Sequence, residues 1–332
     1  MVALVRNPEE GFLLTVMITG GTGFLGSHLA RHLLEQAGET DVVLFDAAPN
    51  PDLIGDIAER VTVVQGDVLE PTDLLSAMRR YNVNRIAHLA FVLTRGAVAH
   101  PYRAIKINTM GTANIFETSR IHGVERVVYA SSAAVYGTRS TLDDDELDEE
   151  VVPNPDTIYG AAKLFNEQMA DLYGKEHGLD LIGLRPVSIF GVGRGGRITS
   201  DAQHFMVRPE LAALGRPIEM PPDDQVSDWM YVADAAAAWR LALAVKEPPH
   251  RIFNISSEHR RIGDATRHVR SLLPDAEIAV STDPVTMLRS VSNRRLREGL
   301  GFEPRYTLEQ GLEEYLSAVR LQAGLPPLAP PP

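Results

Sequence analysis

Along the first half of the chain, short apolar runs alternate with segments whose apolar residues return every three or four positions. The runs Val16–Thr19, Val42–Asp46, Val61–Gln65, Arg85–Leu89, Val127–Ser131 and Leu181–Arg185 are apolar on both pleat faces, the pattern of buried parallel strands. Phe24–Gln36, Thr72–Tyr81, Tyr102–His122 and Tyr159–Glu176 carry the helical period between them. Pro71, with Asp67 and Glu70 nearby, and Pro101 before Tyr102 mark helix starts. This alternation predicts an α/β fold with a doubly wound parallel sheet and right-handed crossovers. After Pro186 the rhythm loosens. Glycines and prolines crowd Gly191–Gly196 and Pro217–Pro222, and Ile252–Ile255 reads as an isolated strand. The expected division is a sheet domain over residues 13–186 and a smaller lobe over 187–320, with some of the latter returning to the sheet. Residues 1–12 and 321–332 read as terminal arms, the second ending in a proline-rich tail.

Composition narrows the partners. The 332 residues are 44% hydrophobic, enough for a sizeable core. A net charge of −12 argues against nucleic acid and against an anionic membrane surface. No apolar run approaches the length of a membrane span, and no signal peptide is apparent. Cysteine is absent, which excludes disulfides, thiolate chemistry and Cys-based metal sites and fits a cytoplasmic location. No histidine is read as a metal ligand, so no metal is expected. Asp143–Glu150 holds seven acids in eight positions and reads as a solvated loop, because such runs repel each other.

The first apolar run ends in Thr19-Gly20-Gly21-Thr22-Gly23-Phe24-Leu25-Gly26 and passes straight into a helical pattern. Glycine at Gly20 permits a tight turn, at Gly23 lets backbone approach a pyrophosphate, and at Gly26 lets helix pack on strand. The first-turn N–H groups then face the anion. Asp46 follows twenty residues after Gly26, at the end of the second run, where its carboxylate can accept both ribose hydroxyls and would repel a 2′-phosphate. Residues 47–50 bring no lysine or arginine, so the predicted cofactor is NAD within a Rossmann-type sheet.

Tyr159 and Lys163 are four apart on one helical face. A tyrosine is a poor base at its ordinary pKa of about 10. A neighbouring ammonium and a cationic nicotinamide ring would favour its phenolate, and a drop of ~3 units asks for ~4 kcal/mol. Ser131 and Ser132 end the fifth run, at the same sheet edge as the glycine turn, where a hydroxyl can hold a reacting oxygen. Each feature alone has an ordinary explanation, an exposed helix pair or a capping serine.

Together they resemble a family, the extended short-chain dehydrogenase/reductases, in the branch of sugar-nucleotide epimerases and dehydratases. The likeness runs from about Val16 to Leu316. Besides the glycine turn it rests on Gly66-Asp67-Val68, His88-Leu89-Ala90, Asn108-Thr109-Met110-Gly111-Thr112, Ser131-Ser132-Ala133-Ala134-Val135-Tyr136-Gly137 and Tyr159-Gly160-Ala161-Ala162-Lys163. Arg185-Pro186, Tyr231-Val232-Ala233-Asp234, Phe253-Asn254-Ile255 and Leu300-Gly301-Phe302-Glu303-Pro304 follow in order. The resemblance implies that Tyr159 is the catalytic acid/base, that Lys163 lowers its pKa and bonds the nicotinamide ribose, and that Ser132 holds the substrate oxygen. It implies cofactor contacts from Gly20, Gly23, Phe24, Leu25, Gly26, Asp46, Asp67, Val68, Leu89, Ala90, Phe91, Ser131 and Pro186, with Asn108 bracing the site. The Tyr102–His122 and Tyr159–Glu176 helices resemble those of the family's four-helix dimer contact, so a homodimer is expected.

Two positions depart from the nucleotide-sugar branch. Where that branch carries R-x-x-N-x-Y-G-P this chain has Ser188 in place of the asparagine, and Ser227 stands where an arginine precedes aspartate. Both missing groups contact the substrate diphosphate in that branch, which disfavours a nucleotide-linked sugar. Ala133 and Ser188, and Arg194 and Arg197 of a glycine-rich loop, remain substrate-binding candidates; the arginines suit a carboxylate or simply face solvent. The leading expectation is an NAD-dependent oxidoreductase acting at a secondary alcohol or ketone of a small polar or sugar-like molecule. The alternatives are an NAD-dependent epimerase or dehydratase and, from another class, a non-catalytic NAD-sensing protein.

Overall fold

The computed structural model describes residues 14–36, 40–139, 146–194 and 205–328. Seven parallel strands build the main sheet: β1 (Leu14–Thr19), β2 (Thr40–Asp46), β3 (Thr62–Gln65), β4 (Arg85–His88), β5 (Arg126–Ala130), β6 (Leu181–Pro186) and β7 (Ile252–Ile255). Their spatial order is β7-β6-β5-β4-β1-β2-β3. The winding direction reverses between β1 and β4, which opens a crevice at their C-terminal ends.

Alternation along each strand explains the continuous apolar runs. Val16, Ile18, Leu44 and Val128 face one side, against Leu29 and Leu33 of α1 (Phe24–Gln36) and Trp239 of the Val232–Ala244 helix. Met17, Val43, Phe45 and Val127 face the other, against Leu74 of α2 (Pro71–Tyr81) and Phe116 of α3 (Thr112–His122). β3 departs from the expectation of burial on both faces. Its residues alternate between half-buried and exposed because it is an edge strand.

The predicted Tyr102–His122 helix is a Pro101–Ile105 α-turn, a π-turn over Lys106–Gly111, and then α3. Thr109 and Thr112 hydroxyls donate to the carbonyls of Ile105 and Asn108, one turn back, within this segment. α4 (Ile158–His177) lies beside it, capped by the Thr157 hydroxyl, which accepts from Gly160 N at 3.0 Å.

Ile252–Ile255 is not isolated: as β7 it joins the main sheet in parallel beside β6. The rest of the second half forms a three-stranded sheet of Ile189–Phe190, Val226–Tyr231 and Glu258–Arg261, and a pair of Ile218–Met220 with Ile278–Val280. Met287–Leu288 returns to pair with Thr138–Arg139. The acidic run, as far as it is described, is the wet loop expected of it at Glu146 and Glu150, which are exposed, but not at Glu149. Glu149 is buried, accepts from Asn254 N at 2.7 Å and faces Arg295 at 3.6 Å, while the carbonyl of Asp148 accepts from the Tyr136 hydroxyl at 3.1 Å. Asp143, Asp144 and Asp145 lie outside the described residues. No helix among the described residues is long and apolar enough to cross a membrane.

Candidate active site

The glycine turn leaves β1 at Gly20, whose φ of +66° is a left-handed conformation that glycine takes without strain. Its N–H donates to Phe45 O at 2.8 Å, tying the turn to β2. A Cβ on Gly20 would lie 2.9 Å from Leu89 O and 3.0 Å from Ala90 N, so β4's exit presses on the turn. At the end of β2, Asp46 is aimed by its neighbours. Its carboxylate accepts from the Thr22 hydroxyl at 2.7 Å, Thr22 N at 3.3 Å and Ala48 N at 3.2 Å.

A cleft of about 520 Å³ runs along this edge. Gly20, Gly23, Phe24, Leu25, Gly26, Asp46, Asp67, Val68, Leu89, Ala90, Phe91 and Pro186 all line it, and Ser132, Tyr159 and Arg194 line its other end. The residues fit a dinucleotide. The turn has no room for a side chain where a pyrophosphate would lie, and a fixed carboxylate stands at the ribose end with no cation in residues 47–50 to hold a 2′-phosphate.

At the reacting end the Ser132 hydroxyl oxygen accepts from Ala134 N at 3.1 Å, and the nearness of that hydroxyl favours the Tyr159 phenolate. Lys163 donates to Ala130 O at 2.6 Å and stands 4.1 Å from the Phe91 ring centroid and 5.5 Å from that of Tyr159. Burial sets the starting point of both groups. It pushes the phenol up to about 12, against the pull of Ser132 and Arg194, and takes the Lys163 amine down to about 7, against the pull of Glu167. The phenol therefore starts further from working pH than its ordinary value suggests. Bringing it from about 12 to neutrality asks for ~7 kcal/mol rather than ~4. The protein groups that favour the phenolate are Ser132 and Arg194, while the amine points at Ala130 and Phe91.

Other candidates face away from the cleft, and strand alternation gives the reason. Ala130 and Ser132 line it while Ser131, between them, turns its hydroxyl onto Glu167; Val187 and Ile189 line it while Ser188 turns inward and is buried. Ala133 is fully buried in the turn after Ser132. Asn108 also stands behind the wall, its amide bonding both N and O of Val92, which does line the cleft. Arg197 lies outside the described residues.

Sequence reasoning missed the groups behind this edge. Glu167 forms a buried, two-pronged ion pair with Arg185, through Nε at 2.8 Å and Nη2 at 2.7 Å. The available signal was a charged residue inside an otherwise apolar strand, which requires a buried partner. His88, also buried, has Thr19 and Thr112 hydroxyls on its two ring nitrogens, and burial holds it at about 3, hence neutral. His28 and His32 are one turn apart on α1, a spacing that suits metal ligands, but they serve separate partners. His28 bonds Val192 O at 3.0 Å, and His32 pairs with Arg240 at 3.1 Å.

A dinucleotide cleft closed at one end by a phenol and a hydroxyl, with a buried amine behind, defines an NAD-dependent enzyme. The family model of the NAD dependent epimerase/dehydratase family matches residues 16–256. The chain belongs to that family, within the extended short-chain dehydrogenase/reductases. It is 33% identical to a UDP-glucose 4-epimerase of Azospirillum brasilense, over 69% of this chain and 68% of that one. The structure of Thermus thermophilus UDP-glucose 4-epimerase in complex with NAD superposes with a TM-score of 0.79 at 25% identity, covering 92% of this chain and 99% of the other. An L-threonine dehydrogenase of Cupriavidus necator shares the fold, with a TM-score of 0.80 at 22% identity over 92% and 99% of the two chains.

Proposed function

We propose that this chain is an NAD-dependent oxidoreductase acting at a secondary alcohol or ketone of a small polar substrate. The observation that carries the reading is that Ser132 and Tyr159 line the same end of the dinucleotide cleft. Bound NAD supplies the hydride acceptor and, when oxidised, a nearby positive charge. Tyr159 takes the proton of the substrate hydroxyl. Ser132, whose oxygen is already occupied by Ala134 N, donates to the substrate oxygen and keeps it oriented. Lys163, whose amine donates to Ala130 O behind the cleft wall, is proposed to bond the cofactor's ribose when NAD is bound.

The substrate is argued to be small because neither departure from the nucleotide-sugar pattern offers the cleft a donor. Ser188 is buried and is not among the residues that line the cleft, and Ser227 donates to the carbonyl of Asp228 at 3.3 Å while the Asp228 carboxylate is taken by His259 and Val291 N. Arg103 and Arg194 line the cleft, and Arg194 stands over the Phe24 ring at 5.3 Å and within electrostatic reach of Tyr159. They suit one anionic group on the substrate. A second reading, an epimerase on a nucleotide-linked sugar, is supported by the 33% identity to the A. brasilense epimerase.

Incubation with NAD and a panel of small hydroxy acids, polyols, sugars and sugar nucleotides separates the two. Stoichiometric NADH absorbance with a small alcohol supports the oxidoreductase. A rearranged sugar nucleotide with no net NADH establishes the epimerase instead.

We also infer a homodimer. Ile158, Phe165 and Leu172, seven residues apart on α4, are 44%, 50% and 53% exposed, and Tyr102 and Met110 of the adjoining segment are 76% and 54% exposed. Such an apolar stripe on two neighbouring helices is suited to a second copy. The double substitution Phe165→Asp with Leu172→Asp is expected to convert a sedimenting dimer to monomer. A wild type that sediments as monomer at micromolar concentration refutes the dimer.

A further inference from the structure

Three consecutive residues at the end of β5 face α4. Ala130 O accepts from Lys163 Nζ at 2.6 Å, the Ser131 hydroxyl donates to Glu167 Oε1 at 2.5 Å, and Ser132 lines the cleft with Tyr159. The three helix residues are spaced by four, so they share one face, one turn apart. Gly160 allows the helix to seat here, since a Cβ on it would lie 2.4 Å from Ala134 O.

Ser132, Tyr159 and Lys163 belong to the reaction chemistry, whereas the Ser131 bond does not. That bond ends on a carboxylate that cannot turn. Arg185 of β6 holds both Glu167 oxygens with its planar fork, and its remaining nitrogen donates to the Tyr136 hydroxyl, which donates in turn to Asn254 Oδ1 at 3.0 Å on β7. Ser131 is thereby tied to a point fixed by β6, β7 and α4 together. Stability does not explain such a group, because a buried ion pair is often replaced by apolar residues at no loss. Placement explains it: Ser131 is peptide-bonded to Ser132, which lines the cleft beside Tyr159.

We propose that Glu167 is a positioning residue, which by holding Ser131 keeps the adjoining Ser132 hydroxyl aimed at Tyr159. The inference rests on the assignment of Ser132 and Tyr159 given above. Glu167 is also the group that opposes the effect of burial on Lys163, one turn earlier on the same face.

Ser131→Ala tests this without stranding Arg185, whose ion pair it leaves intact. The measurement is the near-ultraviolet phenolate absorbance of NAD-saturated protein against pH, each variant less its own Tyr159→Phe counterpart, so that only Tyr159 is read. Loss of a well-aimed Ser132 donor raises the phenolate midpoint by about half to one pH unit in Ser131→Ala. Ser131→Thr, which keeps the hydroxyl, restores the wild-type midpoint, and Ser131→Cys, a weaker donor of similar size, gives a smaller rise. Either substitution can carry the test should the alanine variant fold poorly. A folded Ser131→Ala with the wild-type midpoint overturns the proposal, as does a threonine variant that behaves like alanine. If NAD does not lower the wild-type Tyr159 midpoint at all, the assignment of the site falls first, and this inference with it.

Discussion

Tyr159→Phe is expected to lower turnover by roughly 10²–10⁴-fold, the range of a lost general acid/base, while NAD affinity changes only a few-fold. The phenyl ring keeps its place beside Phe91, with ring centroids 6.3 Å apart, so the cleft wall survives. What is lost is one oxygen, the atom that Ser132 and the charge of Arg194 both favour as an anion. Lys163 does not replace that oxygen, because its amine is bonded to Ala130 O. The pH profile sharpens the test. Alcohol oxidation needs the phenolate, and burial, opposed by Ser132 and Arg194, leaves the phenol at about 12, so the wild-type rate climbs with pH through the midpoint of the complex. The residual rate of Tyr159→Phe lacks that limb. Steady-state rates across pH with calorimetric NAD titration check both parts, and a variant retaining wild-type turnover shows that another group moves the proton.

The sheet was legible because six of its strands are covered on at least one face by helices of opposite-sided apolar pattern, so local and global preferences agree. Ile252–Ile255 looked isolated because parallel pairing with β6 crosses more than sixty residues and leaves no mark on neighbouring positions. The cleft residues were legible where chemistry imposes a residue type: glycine at a turn without room for Cβ, aspartate at a strand end. Ser131 and Ser188 were the opposite case. A serine beside a cleft-lining residue is placed by pleat alternation, and only the observed register shows Ser131 facing Glu167 rather than the cofactor. The acidic run misled at one position, Glu149, for a related reason. Charge density suggested solvation, but Glu149 finds Asn254 N and Arg295, partners more than a hundred residues away.

Gly20→Val is expected to abolish measurable NAD binding, at least a 100-fold loss in affinity, with the protein still folded. Two independent effects converge on this position. At φ +66° a β-branched residue is strained by about 1–2 kcal/mol before any contact is counted. Its Cβ would also stand 2.9 Å from Leu89 O and 3.0 Å from Ala90 N, both backbone atoms that cannot rotate aside. Relief requires the turn to lift off β4's exit, which moves Gly23 and the first N–H groups of α1 from the line of the pyrophosphate. Binding at that turn depends on several N–H groups converging on one anion, so a shift of this kind weakens all of them together. Gly55→Ala supplies the control, because a Cβ there meets only Pro51 O at 3.7 Å, an ordinary contact. Calorimetric titration should find NAD affinity lost in the first variant and unchanged in the second. Wild-type affinity in Gly20→Val would place the pyrophosphate somewhere other than this turn, and with it the orientation assigned to the whole cofactor.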